Sequence, residues 1–349
     1  MTTIKKGLVI LLILASASFL FAGGKKEASS ADSSGEQALK PATYTWTAGS
    51  MGGGWYTQAG GMAAMVKENA PALTFKVIPG GGVSNPPLVD SGTNEIGWGV
   101  GWVDKAAYNG IAPLFDKPLK NFSGLAGGFS VDFYHILAAK DTGITTLDQF
   151  VEKVKRGEKV NVAAPRAGTS DRALTSLLFE HLGISYEAME KNGGRIIYAT
   201  YGDMVNLFKD RHVDYAIATL GLPGAAITEM AISRDSTILA VSEELIKYSN
   251  KTYGTVSFES GLSVIPGGTY PGIPNDIPAL AHTTEIIVNA DLPEIVAYTF
   301  VKTLMERIKD VQALNPSFAK YFSKQNAPDT MVPLHPGAEK YYREIGVLK

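Results

Sequence analysis

The sequence predicts an α/β protein built from one strand–helix pattern used twice. Two observations carry that expectation. From Tyr44 onward, β-branched and aromatic runs alternate with helix-like runs, and the alternation occurs twice in the same order. In each copy the first strand also ends in a turn of small and hydroxyl residues that opens a helix. Such units make mainly parallel sheets flanked by helices, and a ligand then sits beyond the carboxyl ends of the strands.

In the first copy, Tyr44–Ala48 is β-branched and aromatic and reads as a strand. It runs into Gly49-Ser50-Met51-Gly52-Gly53-Gly54 and a helix from Trp55 to Asn69, stopped by Pro71. Leu73–Ile78 is the second strand, followed by Pro79 to Asn85, a short helix through Asp90 and a third strand at Glu95–Val100. The second copy opens with a strand at Lys159–Ala164, the turn Pro165-Arg166-Ala167-Gly168, and a helix from Thr169 or Ser170 to Leu182. Leu174, Leu177, Leu178 and Leu182 give that helix its apolar face, and Gly183 stands where a helix stops. A strand (Arg195–Thr200), a helix (Asp203–Arg211) and a strand (Val213–Thr219) complete it.

The turns carry the functional expectation. Helix N-termini leave backbone N–H groups unpaired at the positive end of the helix dipole, which suits an anion. Glycines at Ser50–Gly54 let backbone approach a ligand. Thr169, Ser170 and Asp171 are good N-caps, and the Thr169 and Ser170 hydroxyls also suit a carboxylate. A single Gly-Ser turn is ordinarily only a turn; two at equivalent positions suggest donors facing each other across a cleft.

Composition removes other classes. The 349 residues contain no cysteine, so thiolate nucleophiles, Cys-ligated metals and lipidated cysteines are excluded. Lys+Arg 32 against Asp+Glu 34 leaves no basic footprint for nucleic acid. No G-x-S-x-G elbow, Walker loop or H-E-x-x-H motif occurs, and the five histidines are scattered. We therefore expect no enzyme, no metal and no cofactor.

The N-terminus has the form of a secretory signal peptide: Lys5 and Lys6, then an apolar segment of 16 residues from Gly7 to Ala22, short of the roughly 20 that span a bilayer. Cleavage is expected after Ala22 or Ala17; an uncleaved anchor is the alternative, because Leu20 is not the small residue preferred there. Removal to Ala22 takes the formal charge from −2 to −4. Residues 23–42 read as a flexible tether, too polar in composition to offset their ordering entropy. Without a cysteine after the signal, the expectation is a soluble periplasmic protein with no lipid anchor or stable membrane insertion.

Several segments together resemble the TAXI family of TRAP-transporter solute receptors. They are Gly49-Ser50 with Trp55-Tyr56, the Gly-rich segment ending Val83-Ser84-Asn85, Gly168-Thr169-Ser170-Asp171-Arg172, Gly221-Leu222-Pro223, and the block from Pro333 to Glu344. The resemblance implies a two-lobed periplasmic-binding-protein (type II-like) fold. Each lobe would be a mainly parallel sheet flanked by helices, with the ligand cleft between lobes. It places lobe 1 at 43–138 plus about 243–349, with 243–292 the least certain part, and lobe 2 at 139–242. It also implies a small organic anion, such as glutamate or a related carboxylate, passed to an ion-gradient-driven permease. On this pattern Ser50, Gly53 and Tyr56 line one side of the cleft beside Ser84 and Asn85, and Thr169 and Ser170 face them. The chain departs from the family where Gly81-Gly82 lack a hydroxyl and where Val100-Gly101-Trp102 replaces a polar stretch.

Other residues are candidates by position. Trp55 and Gly82 adjoin the first lobe's turns, and Trp98 and Trp102 lie near a strand's carboxyl end, where pocket walls form, although large aromatics ordinarily go to the core. Arg166 is placed to hold a carboxylate in a bidentate pair, against the ordinary alternative of a solvent-facing Arg. Tyr201 and Gly221 follow later strands of the second copy. Two alternatives stand beside this reading: an ABC-type receptor for an aromatic or cationic solute stacked on Trp98 and Trp102, and a secreted hydrolase assembled from scattered residues.

Overall fold

The computed structural model describes residues 39–51 and 53–349; the expected signal peptide (1–22) and nearly all of the expected tether (23–42) lie outside them. At the tether's end, Leu39 already packs on the core and the first strand begins at Ala42.

The first copy forms β1 (Ala42–Thr47), α1 (Gly54–Asn69), β2 (Leu73–Ile78), α2 (Asn85–Asp90), β3 (Ile96–Val100) and α3 (Gly101–Asn109). After it come β4 (Phe122–Ala126), β5 (Val131–Ala139) and α4 (Leu147–Lys155). The second copy forms β6 (Asn161–Pro165), α5 (Ser170–His181), α6 (Tyr186–Lys191), β7 (Arg195–Ala199), α7 (Tyr201–Lys209) and β8 (Tyr215–Leu220). The remainder is α8 (Ala225–Ser233), β9 (Ser236–Ile238), α9 (Glu243–Tyr253), β10 (Val264–Ile265), β11 (Ile277–Pro278), β12 (Ala281–Asn289), α10 (Glu294–Glu306), α11 (Ile308–Ala313), α12 (Pro316–Tyr321) and α13 (Pro336–Glu344).

Local chemistry explains several boundaries. Thr146 and Gln149 form a capping box at α4, and Thr169 accepts from the Arg172 N–H at the start of α5. At the other end of α5, Ile184 N–H donates to Phe179 O, closing the helix where Gly183 was expected to stop it. His335, in the C-terminal block, caps α13 by accepting from Gly337 N–H.

The duplication is present in the topology. In the first copy β1 lies between β2 and β3 and is parallel to both; in the second, β6 lies between β7 and β8 in the same way. The whole ten-stranded sheet has the order β2-β1-β3-β12-β5-β8-β6-β7, with β4 beside β12 and β9 beside β5. It is mixed, because β12 runs antiparallel to β3 and β5, and β5 runs antiparallel to β8. These two nine-residue strands join the copies. Helix α9 stacks Tyr248 on His181 of α5, in the second copy, and sets Tyr253 beside Trp102 of α3, in the first. Among the described residues no helix is long and apolar enough to cross a membrane.

Candidate functional site

A small-residue turn of the first copy meets one of the second, though the first-copy partner is the Gly81–Ser84 turn and not the equivalent Gly49–Gly54 turn. The Gly168 carbonyl accepts from both Val83 and Ser84 N–H at 3.0 Å, joining the second turn of the first copy to the first turn of the second. Gly81 and Gly82, which lack the hydroxyl of the family pattern, are where this approach is tightest. A Cβ on Gly81 would lie 2.5 Å from the Gly168 carbonyl oxygen, and one on Gly82 would lie 2.9 Å from the Ser170 Cβ. Glycine is required there because a side chain would hold the copies apart.

Beside this contact is a cavity of about 140 Å3, comparable to one that accepts a benzene ring. Four helices of eight or more residues begin with a residue that lines it: α1 at Gly54, α5 at Ser170, α7 at Tyr201 and α8 at Ala225. The starts of α1 and α8 carry neither a side-chain cap nor an acidic residue in the first turn. Their backbone donors and dipoles therefore face the cavity uncompensated. The N-cap of α8 is held from behind, where Gly224 N–H donates to the Tyr270 hydroxyl at 2.9 Å, itself 2.8 Å from His135 Nε2. No Lys or Arg lines the cavity. Two lining groups, Gln58 Oε1 and Thr219 Oγ1, are buried without a protein hydrogen-bond partner.

Eight expected residues line this cavity together: Ser50, Gly53, Trp55, Gly82, Thr169, Ser170, Tyr201 and Gly221. Six do not. Tyr56 points to solvent, 38% exposed, because it is on the outer side of α1. Ser84 turns back and donates to the Gly81 carbonyl. Asn85 is fully buried, donating to Ala48 and Trp98 carbonyls and accepting from Gly81 N–H and the Thr47 hydroxyl; it ties together the ends of β1 and β3. Trp98 is enclosed by Trp46, Trp55, Phe129 and Phe318, with ring centroids 5.4–6.1 Å away. Trp102 is buried on α3 against Tyr253. Arg166 is exposed and pairs with Asp203 at 3.6 Å. Arg172, expected at the surface or in an ion pair, lies over the rings of Tyr186 and Tyr198.

Sequence reasoning missed the cavity's titratable groups. Asp132 accepts from the Ser130 hydroxyl at 2.6 Å and from Trp55 Nε1 at 3.2 Å. Burial nonetheless raises its pKa to about 6 against those two donors. Asp171 accepts from the Tyr201 hydroxyl at 2.6 Å and is likewise raised by burial. His282 is pushed down to about 3 by burial and is neutral. The available signal for Asp132 was a single carboxylate inside the mostly apolar strand Val131–Ala139; Asp171 was marked only as a helix N-cap beside Thr169 and Ser170, and His282 lacked any marker beyond residue type.

Similar folds occur among solved structures. The periplasmic binding protein BugD matches with a TM-score of 0.52 at 14% identity, over 88% of this chain and 95% of that one. MatC from Rhodopseudomonas palustris, solved with bound malate, matches with a TM-score of 0.51 at 17% identity, over 86% of this chain and 97% of that one. The fold is thus the α/β fold of periplasmic solute-binding proteins, and with the NMT1-like family model matching residues 46–346, the chain belongs to the NMT1-like family.

Proposed function

We propose that the protein is an extracytoplasmic solute receptor that binds a small organic anion between two lobes and performs no chemistry on it. The observation that carries this reading is the convergence of α1, α5, α7 and α8, by their first residues, on one cavity that no Lys or Arg lines and whose other polar groups are hydroxyls, amides, the His282 ring and the carboxyls of Asp132 and Asp171, whose pKa values burial raises. Backbone dipoles attract a carboxylate without a cation, and the unpartnered Gln58 and Thr219 groups suit a ligand that both donates and accepts. A hydroxy- or dicarboxylic acid fits that pattern, and the malate held by MatC agrees with it. The finer reading is a TAXI-type receptor serving an ion-gradient-driven TRAP permease, periplasmic after signal cleavage, with glutamate or a related carboxylate as cargo. In this reading the lobes keep the bounds expected from sequence, lobe 1 at 43–138 plus about 243–349 and lobe 2 at 139–242.

A second reading draws on Asp132 and Asp171, two acids in a cavity without Lys or Arg: an ABC-type receptor for a cationic solute. Its aromatic form loses support because Trp98 and Trp102 are away from the cavity. A secreted hydrolase has less: among the described residues no histidine is hydrogen-bonded to Ser50, Ser130 or Ser170.

A thermal-shift screen over dicarboxylates, amino acids, aromatic acids and organic cations tests the reading. The expected result is stabilisation by an anion of about 2.7 kcal/mol at a hundredfold excess over Kd, lost in the Ser50→Ala/Thr169→Ala double variant. Stabilisation by cations alone favours the second reading, and no response from any anion overturns the first.

A further inference from the structure

A second cavity of about 160 Å3 lies on α3, as large as the central one and sharing no lining residue with it. Its walls come from both copies of the fold: Trp102 and Ala106 of α3 and Leu114 from the first side, Leu177 of α5 and Tyr253 of α9 from the other. The Trp102 and Tyr253 rings stand 6.2 Å apart at 53°. Apart from the rim, the lining is aliphatic and aromatic, which suits an apolar body.

Two polar groups give this cavity a chemical preference. Trp102 is 97% buried and its indole N–H has no acceptor, whereas buried indoles ordinarily find one. Trp46 and Trp98 share the missing acceptor but are packed inside the aromatic core; Trp102 borders open space. Lys105 stands three residues on, on the same face of α3, exposed at the rim and in no ion pair among the described residues. No Asp or Glu lines the cavity. The arrangement is a wall residue, Trp102, whose buried indole N–H lacks an acceptor, one cation at the mouth, and an apolar interior.

We propose that this cavity is a second ligand site, taking a small monocarboxylate with an aromatic or short aliphatic body. The body lies against Leu177 and the Trp102 ring, and the carboxylate accepts from the indole N–H and from Lys105. Helix α5 brings Ser170 to the central cavity and Leu177 to this one, so an occupant touches the same helix that closes the central site.

The test uses full-length protein labelled with 15N at tryptophan, whose four indole N–H signals are assigned with Trp102→Phe and Trp55→Phe. Benzoate and hexanoate are titrated, with benzyl alcohol as the uncharged control. The expected result is a saturable downfield shift of the Trp102 indole proton with either acid. Leu177→Trp, which fills the cavity, weakens binding at least tenfold. Lys105→Glu, an exposed change that leaves folding alone, weakens both acids about tenfold and leaves benzyl alcohol unaffected. The proposal is overturned if no indole signal moves at millimolar acid, if the Trp55 signal moves instead and so places the acid in the central cavity, or if Lys105→Glu binds benzoate as the native protein does.

Discussion

Asp132 governs the charge of the central cavity. Its carboxyl is removed from water, which favours the protonated form, and the donors Ser130 and Trp55 only partly offset this, leaving a pKa of about 6. A bound carboxylate is repelled once Asp132 ionises, so affinity for an anion should fall as pH rises through about 6. In the limit where only the protonated form binds, the fall is about tenfold per pH unit above that point. Asp132→Asn should remove the slope and tighten binding at pH 7.5, measured by isothermal titration calorimetry from pH 5 to 8. A ligand bearing an ammonium gives the opposite slope, and that outcome would exclude a purely anionic cargo. The chemistry of this residue was not legible from sequence, since a lone Asp in a strand becomes a site only when the β8–α8 turn and Trp55 are folded over it.

At the scale of elements, the contact between the Gly81–Gly82 turn and the Gly168 turn brings the copies together. Its two N–H donors, Val83 and Ser84, converge on one carbonyl, and the neighbouring glycines leave no space for Cβ atoms. Gly82→Ala places a methyl 2.9 Å from both Ser170 Cβ and Val100 Cγ2, which the turns accommodate only by separating. We expect this variant to remain folded, to show a larger radius of gyration by small-angle scattering, and to bind anions at least tenfold more weakly. Unchanged scattering with unchanged affinity would show that the contact does not control closure. Much of the element pattern was legible: β1, α1, β2, α2, β3 and β6, α5, β7, α7, β8 form close to where periodicity and caps placed them, whereas α3 and α6 were not expected. The crossing strands β5 and β12 were not anticipated, because pairing between strands far apart in the chain leaves no local mark in either sequence.

The whole molecule carries a pH-sensitive feature in the join between copies. Asp104 of α3 and Glu285 of β12 are buried side by side, and Glu285 accepts from Met331 N–H at 2.8 Å. Burial, reinforced for Asp104 by the neighbouring Glu285, raises both, Glu285 to about 7 and Asp104 well above the carboxylate range. The folded state therefore holds protons that the unfolded state releases near pH 4. The stability this contributes is fully present below that pH and is lost as pH rises through about 7. Glu285→Gln should flatten the dependence and raise the melting temperature at pH 8 relative to native protein, read by calorimetry between pH 5 and 8. A native melting temperature that rises over that interval would contradict the assignment.

The sequence by itself determined the repeating strand–helix pattern, the glycine and hydroxyl turns, and eight residues that the fold gathers around one cavity, because propensity, capping and turn chemistry act over a few neighbouring residues. Tertiary structure decided which of those positions face the cavity. Trp98 went to packed surroundings because large rings bury more apolar area there, and Trp102 went to the wall of the cavity on α3; Asn85 was drawn in to satisfy strand-end carbonyls; and Arg166 stayed in water beside Asp203. It also set the charge of the cavity, since burial alone moves Asp132, Asp171 and His282 toward their neutral forms, and burial depends on contacts between residues more than a hundred positions apart.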